Sequence, residues 1–218
     1  MHMKKWFLIL ILISIVLITL SGSALASTFS FFDTFPSGKT IDLEKWNVSE
    51  NGGSVLFEKG VLILDNSETV SPYPFVDSNI DPFDQTEFEV QTEFKFEGNS
   101  GNPYGIAFAV TPDEQPQDQT FGNSPYPNNR NFWMILGGDL FFGFGTTLVS
   151  TRPYDNEWHK LVFKKKAGVS YIYFDDELLG ISTLNWAKPT NIWFGLTNSL
   201  GYGPDQYPAL HIKYIRVR

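Results

Sequence analysis

Apolar and polar residues alternate over short stretches of this chain, and turn-forming residues separate those stretches. Apolar and polar residues alternate in Trp158–Lys165, a turn follows at Ala167-Gly168, and a second β-rich run covers Tyr171–Phe174. A period of two residues is typical of strands that bury one face, and a turn pair with glycine between them is typical of a hairpin. This alternation predicts that four side chains face the core: Leu161, Phe163, Ile172 and Phe174.

Similar runs recur along the rest of the chain and predict an all-β fold. Glycine, proline, asparagine and aspartate separate the runs, which is typical of a sandwich of two antiparallel sheets with about 12–14 strands. The only helical feature expected is a turn near Asp42–Trp46, and long loops are expected over 66–85 and 111–130. The candidate strands are Phe29–Phe35, Ser54–Phe57, Val61–Asp65, Glu87–Phe96, Gly105–Val110, Asn131–Leu136, Leu140–Phe144, Trp158–Lys165, Ser170–Phe174, Leu178–Ile181, Asn191–Thr197 and Leu210–Val217.

The N-terminus has the pattern of a secretory signal peptide. Lys4 and Lys5 precede an apolar run, Trp6–Leu20, and Ala24-Leu25-Ala26 fits a cleavage site with small residues. The run is short for a spanning helix, which needs roughly 20 residues. We therefore expect residues 1–26 to be removed and residues 27–218 to form one secreted domain. An uncleaved N-terminal anchor, the one route by which this chain would meet a membrane, is the alternative.

Composition narrows the classes of partner. The 218 residues carry a formal net charge of −8, which disfavours nucleic acid and anionic polysaccharides as partners. There is no cysteine, so thiolate catalysis and cysteine-ligated metal sites are excluded. No spacing of histidine and acidic residues is typical of a transition-metal site, and no cofactor is expected.

Three segments carry a resemblance to a known superfamily. They are Phe31-Phe32-Asp33-Thr34-Phe35 with Asp42-Leu43 and Lys45-Trp46, then the hairpin that starts at Asn156-Glu157-Trp158-His159-Lys160-Leu161, and the closing strand Leu210–Val217. The chain resembles the concanavalin A-like lectins and glucanases, which include laminin-G-like modules and glycoside hydrolases of family 16. The resemblance implies a jelly roll, and it leaves lectin, adhesion and glycosidase functions open.

The catalytic motif of the family 16 enzymes is missing. That motif places Glu-x-Asp-x-Glu on one strand, so that three acids line the cleft, and the equivalent strand here, near Asn131–Leu136, has no acid. The nearest match is Glu89 to Glu93, with Gln91 in the central position. We interpret it as a polar sheet face balanced in part by Lys95. A divergent glycosidase that uses Glu89 and Glu93 on a β-glucan stays open as the alternative.

Two tryptophans indicate a surface for sugar. Trp133 and Trp193 each follow an asparagine by two positions, Asn131 and Asn191, which places amide and ring on the same strand face. The leading prediction is non-catalytic recognition of a polysaccharide or surface glycan. The alternatives are a second core layer formed by these rings and an adhesion or structural module without sugar affinity. Loop residues expected to contribute to ligand binding are Tyr126, Arg130 and Tyr202.

A calcium candidate lies in the loop predicted over residues 66–85. Asp77, Asn79 and Asp81 alternate there and carry the oxygen ligands that Ca²⁺ prefers. Acidic loop residues are commonly just solvated, so the main expectation is a chain without a metal.

Overall fold

A computed structural model describes residues 29–36, 41–50, 53–65, 74–83, 86–98, 105–112, 132–184, 188–195 and 208–218. These ranges contain fifteen strands and no helix, and therefore no helix long and apolar enough to cross a membrane. The predicted signal peptide, residues 1–26, lies outside them. The strands are β1 (Phe31–Asp33), β2 (Trp46–Ser49), β3 (Ser54–Glu58), β4 (Val61–Asp65), β5 (Phe75–Ser78), β6 (Phe88–Glu97), β7 (Gly105–Thr111), β8 (Phe132–Leu136), β9 (Asp139–Phe144), β10 (Thr147–Pro153), β11 (His159–Lys166), β12 (Val169–Phe174), β13 (Glu177–Ser182), β14 (Asn191–Gly195) and β15 (Ala209–Val217).

The strands form two antiparallel sheets. An eight-stranded sheet has the order β13-β12-β11-β6-β15-β4-β3, with β1 also paired to β15, and a seven-stranded sheet has the order β10-β9-β8-β7-β14-β5-β2. Strand β6 pairs with the distant strands β11 and β15, so segments far apart in sequence meet in the middle of the eight-stranded sheet. The all-β sandwich of two antiparallel sheets predicted from the alternation is confirmed.

The inner faces of the two sheets enclose an aromatic core. Phe163 of the eight-stranded sheet stacks on Phe108 at 5.2 Å and on Phe132 at 5.0 Å, both from the seven-stranded sheet. Each fully buried phenylalanine contributes about 1.5–3 kcal/mol relative to exposure. The four predicted core residues of the β11–β12 hairpin are buried: Leu161, Phe163, Ile172 and Phe174.

Tight turns fix the strand register of two hairpins. Ala167 and Gly168 have φ of 51° and 74° and join β11 to β12, while Lys59 and Gly60 have φ of 52° and 82° and join β3 to β4. Positive φ at both central residues is typical of type I′ hairpins, whose twist matches that of the flanking strands. The register then carries the alternation from one strand to the next.

Three strands are not among the candidates, namely β2, β5 and β10. Strand β5 lies within residues 66–85, so the prediction of a continuous loop there is wrong. All four residues of β5 are buried, so it has no alternation that the pattern could detect. The expected turn near Asp42–Trp46 is present, closed by hydrogen bonds from the Lys45 and Trp46 amides to the Asp42 carbonyl.

Candidate functional site

A single row of residues crosses the outer face of the seven-stranded sheet, the face turned away from the core. Trp193 and Trp133 lie in this row with Ala109 between them, because Ala109 of β7 pairs with both. The expectation that the two tryptophans share one sheet face is therefore confirmed. The row takes one residue from each strand: Asn47, Asp77, Trp193, Ala109, Trp133, Gly143 and Leu148.

Both indole rings lie flat over a glycine, Trp133 over Gly143 of the neighbouring strand and Trp193 over Gly195 of its own strand. A Cβ atom added at Gly143 would stand 2.1 Å from Cζ2 of Trp133, and one at Gly195 would stand 2.8 Å from Cζ2 of Trp193. Glycine at these positions lets each ring approach the backbone closely. The rings therefore lie along the sheet instead of standing out from it.

The two indoles belong to a second hydrophobic cluster. Trp133 is 0% and Trp193 is 1% exposed. The second core layer that the sequence left open is therefore present. The role of these rings in sugar binding stays a prediction. Their neighbours in the cluster are Phe75, Ile106, Ala109 and Ile135, with Phe141 and Leu148 packed against them.

The ring nitrogens of the two tryptophans differ. Trp133 Nε1 donates a hydrogen bond of 2.7 Å to the carbonyl of Gly145. Trp193 Nε1 is equally buried, yet no acceptor in the described parts of the chain takes its proton. A buried donor without a partner costs about 1–3 kcal/mol, so such atoms are uncommon in folded proteins.

A polar group adjoins Trp193 at the β2 edge of the row. Asp77 Oδ2 accepts hydrogen bonds from Asn47 Nδ2 at 3.2 Å and from Asn191 Nδ2 at 3.3 Å, and Asn191 Nδ2 also donates to the Ser78 carbonyl at 3.0 Å. Asn191 is buried, whereas Asn47 on the edge strand β2 is exposed. The polar group therefore runs from the solvent at Asn47 to the buried side of Trp193.

Asn191 carries a second unmet atom. Its Oδ1 is buried and accepts no hydrogen bond from the residues that the structure describes. Asn191 and Trp193 stand two positions apart on one strand, so their side chains lie on the same face. One acceptor and one donor without a partner among the described residues thus stand on the same face of β14. We call Asn47, Asp77, Asn191 and Trp193 the polar subsite.

Sequence reasoning found only part of this subsite. Asn191 and Trp193 were predicted ligand-binding residues, and the structure brings them together with Trp133 on one face. Asp77 was assigned to calcium, and Asn47 was not a site candidate. Their place in the row depends on β2 and β5 pairing beside β14, which no local pattern shows. The other predicted ligand-binding residues, Asn131, Tyr126, Arg130 and Tyr202, lie outside the described residues.

The calcium candidates do not converge. Asp77 belongs to the polar subsite, Asn79 Nδ2 donates to the Leu43 carbonyl at 3.0 Å, and Asp81 pairs with Lys188 at 2.7 Å. In the described ranges, no group of three histidine, cysteine or acidic side chains is placed to hold a metal ion.

Glu89 and Glu93 lie on the other sheet. They share the outer face of the eight-stranded sheet, where Glu89 pairs with Lys164 at 2.9 Å and with Arg218 at 2.7 Å, and Glu93 pairs with Lys213. The expected polar face is present. However, its balancing cations come from neighbouring strands and the C-terminus, because the Lys95 ammonium pairs with Glu97 instead.

The charge state of Glu89 does not suit a catalytic acid. Burial on its own raises the pKa of the Glu89 carboxyl, but the hydrogen bond from Lys164 and the charge of Arg218 outweigh it and hold that pKa below its usual value. A glycosidase acid needs the opposite shift, so that it carries a proton near neutral pH.

No protein-family model matches this chain, and no curated protein matches its sequence. Solved structures do match its fold. The carbohydrate recognition domain of Emp47p has a TM-score of 0.63 at 13% identity, over 89% of this chain and 98% of that one. The laminarinase catalytic domain of Thermotoga maritima has a TM-score of 0.62 at 16% identity, over 87% and 97%.

A carbohydrate esterase of the Shiga toxin-encoding bacteriophage phi24B is similar too, with a TM-score of 0.59 at 15% identity, over 87% of this chain and 97% of that one. The chain has the jelly-roll fold of the lectins and glucanases. At these identities the jelly roll alone is established, and it hosts both binding proteins and enzymes.

Proposed function

We propose that this chain is a secreted, non-catalytic glycan-binding domain whose binding surface is the outer face of the seven-stranded sheet. The observation that carries the proposal is the pair of unmet polar atoms at Asn191 and Trp193, next to an apolar row with a second tryptophan. Sugars present hydroxyl groups beside apolar C–H faces, so they complement a surface of this kind.

The structural neighbours support a carbohydrate ligand. They include a carbohydrate recognition domain, a laminarinase catalytic domain and a carbohydrate esterase. Secretion is proposed from the basic and apolar N-terminal segment that ends at Ala24-Leu25-Ala26. An acidic chain with a net charge of −8 favours neutral over anionic glycans.

The absence of catalysis is proposed from the two glutamates that best match the catalytic pattern. Both glutamates lie on the eight-stranded sheet, away from the tryptophan row, and each pairs with a cation there. The pKa of Glu89 is also lowered. The glycosidase alternative predicts that the chain releases reducing sugar from a β-glucan and that Glu93→Gln abolishes this release.

Isothermal titration against a panel of soluble oligosaccharides tests the proposal. We expect at least one neutral oligosaccharide to bind without hydrolysis. Asn47→Ala should weaken it, because exposed Asn47 lines the open end of the polar subsite, whereas Glu93→Gln on the other sheet should not. If no oligosaccharide of the panel binds, or if the wild type and Asn47→Ala bind with equal affinity, the proposal is contradicted. If no oligosaccharide binds and a pull-down recovers a protein partner, the adhesion module is supported instead.

A further inference from the structure

The two unmet atoms of the polar subsite restrict the chemistry of a ligand. Asn191 Oδ1 requires a donor, and Trp193 Nε1 requires an acceptor. A hydroxyl group supplies either, whereas a carboxylate only accepts and an ammonium only donates. A ligand with two neutral hydroxyls therefore satisfies both atoms without bringing a charge into a buried setting, where an uncompensated charge is costly.

The rest of Asn191 is already engaged and fixes the position of its free oxygen. Its Nδ2 donates to the Ser78 carbonyl at 3.0 Å and to Asp77 Oδ2 at 3.3 Å, and the adjacent Ile192 amide donates to Ser78 Oγ at 3.1 Å. The amide orientation follows from these acceptors, since only the nitrogen can donate to them. Oδ1 is thus held in one direction before any ligand arrives, which lowers the ordering cost of binding.

The ring of Trp193 is held equally firmly. It stacks on Phe75 at 6.0 Å with an interplanar angle of 27° and lies above Gly195. An indole fixed between an aromatic neighbour and the backbone cannot turn its N–H towards another acceptor without repacking the cluster. Both unmet atoms are therefore preorganised on β14.

We propose that the polar subsite binds one neutral sugar residue through two hydroxyl groups, one donating to Asn191 Oδ1 and one accepting from Trp193 Nε1. This inference rests on the proposed function and names its ligand class and its deciding contacts. The exposed Asn47 and the adjacent carboxylate of Asp77 lie between the solvent at the β2 edge and Asn191. A sugar that carries a carboxylate meets Asp77 as a like charge, so uronic and sialic acid residues are excluded.

Trp193→Phe removes the indole N–H and keeps an aromatic ring, and Trp158→Phe is the matched control. Trp158 is half-buried on the eight-stranded sheet, where Lys213 Nζ lies 4.1 Å from its ring, so it takes no part in the proposed surface. The full chain is produced in a bacterial host, so that the Asn47-Val48-Ser49 triplet stays unglycosylated. Titrations use neutral oligomers of glucose, galactose, mannose and xylose, with oligogalacturonate and sialyllactose as charged counterparts.

We expect a neutral oligomer to bind the wild type and Trp158→Phe alike, and to bind Trp193→Phe about 5- to 10-fold more weakly, which corresponds to one neutral hydrogen bond. The charged counterparts should bind at least about tenfold more weakly than the best neutral oligomer. If no oligomer binds at all, the proposed function itself fails.

Other outcomes overturn the further inference alone. If a glycan binds and Trp193→Phe leaves its affinity unchanged, the indole N–H does not contact the ligand. If that variant also loses as much unfolding free energy as Trp133→Phe, an ordered water occupies the position instead. If oligogalacturonate or sialyllactose binds as tightly as the neutral oligomers, the ligand class is wrong.

Discussion

The outer faces of the two sheets satisfy their polar atoms in opposite ways. On the eight-stranded sheet, Glu89 and Glu93 pair with cations, and Gln91 accepts from Arg216 Nε at 3.0 Å and donates to the Tyr214 hydroxyl at 2.7 Å. On the seven-stranded sheet, the row is mainly apolar, and Asn191 Oδ1 and Trp193 Nε1 have no hydrogen-bond partner in the described parts of the chain. The charges of the first face are balanced within the chain, whereas the second face holds two buried polar atoms to which we assign the proposed ligand.

The largest loss of stability is expected from a substitution in the apolar row, at Gly143. A Cβ atom there would stand 2.1 Å from Trp133 Cζ2 and 2.3 Å from the Thr147 carbonyl oxygen. Gly143→Ala should therefore lower the free energy of unfolding by about 3 kcal/mol, measured by urea denaturation. Gly180→Ala is the control on the other sheet, where the nearest atoms belong to Val149 at 2.9 Å. An equal or larger loss at Gly180 contradicts the close packing assigned to Trp133.

A smaller loss of stability is expected when either tryptophan is replaced by phenylalanine, and its size should differ between the two. Trp133→Phe removes a donor that the Gly145 carbonyl uses, so it should cost about 2 kcal/mol of unfolding free energy, from the lost hydrogen bond and the smaller ring. Trp193→Phe removes a donor that bonds to no described residue, so it should cost about 1 kcal/mol less. Thermal unfolding of both variants checks the difference. Equal losses would show that Trp193 Nε1 has a partner in the free chain.

The next prediction concerns His159, the first residue of β11, whose imidazole ring lies between two carboxylates. Its Nδ1 lies 2.7 Å from Asp175 Oδ2 and its Nε2 lies 2.8 Å from Asp155 Oδ1. Burial on its own lowers the pKa of His159, but the hydrogen bonds with Asp175 and Asp155 outweigh it and raise that pKa above the usual value.

A raised pKa stabilises the fold at low pH, and the contribution is lost as pH rises through the folded-state pKa. His159→Gln should therefore cost about 1 kcal/mol at pH 6 and clearly less at pH 9. Denaturant titrations at the two pH values check this dependence. If the unfolding free energy lost in His159→Gln grows with pH, the protonated ring between the two carboxylates is not what stabilises the fold.

The smallest loss of stability is expected at Glu89, on the outer face of the eight-stranded sheet. The lowered pKa of Glu89 means that its ionised form stabilises the fold above the usual pKa of 4.5, and that this contribution is lost as pH falls through the lowered value. Glu89→Gln should cost at most about 1 kcal/mol at pH 7 and less at pH 3. Unfolding midpoints at both pH values give the answer. A stability gain at pH 7 would show that the glutamate is strained there, as catalytic acids often are.

Local alternation was enough to predict the sandwich, the β11–β12 hairpin and the polar face of β6. The outcome differs where the deciding contacts are distant in sequence. Lys164 and Arg218 lie 75 and 129 residues from Glu89, so the sequence could not identify them as its partners. Asp77 was placed in a loop because β5 is short and buried on both faces, and its contact with Asn191 spans 114 residues. Pairing between sheet neighbours, rather than propensity, determines such sites.

The most direct test of the glycan site observes the indole N–H of Trp193 itself. Its resonance in a ¹H–¹⁵N correlation spectrum is identified by its disappearance in Trp193→Phe. Addition of a bound neutral oligosaccharide should move it downfield as it gains an acceptor, while the Trp133 resonance, already bonded to Gly145, moves less. Shifts confined to residues of the eight-stranded sheet, with the Trp193 resonance unchanged at saturation, would contradict a binding site on the seven-stranded sheet.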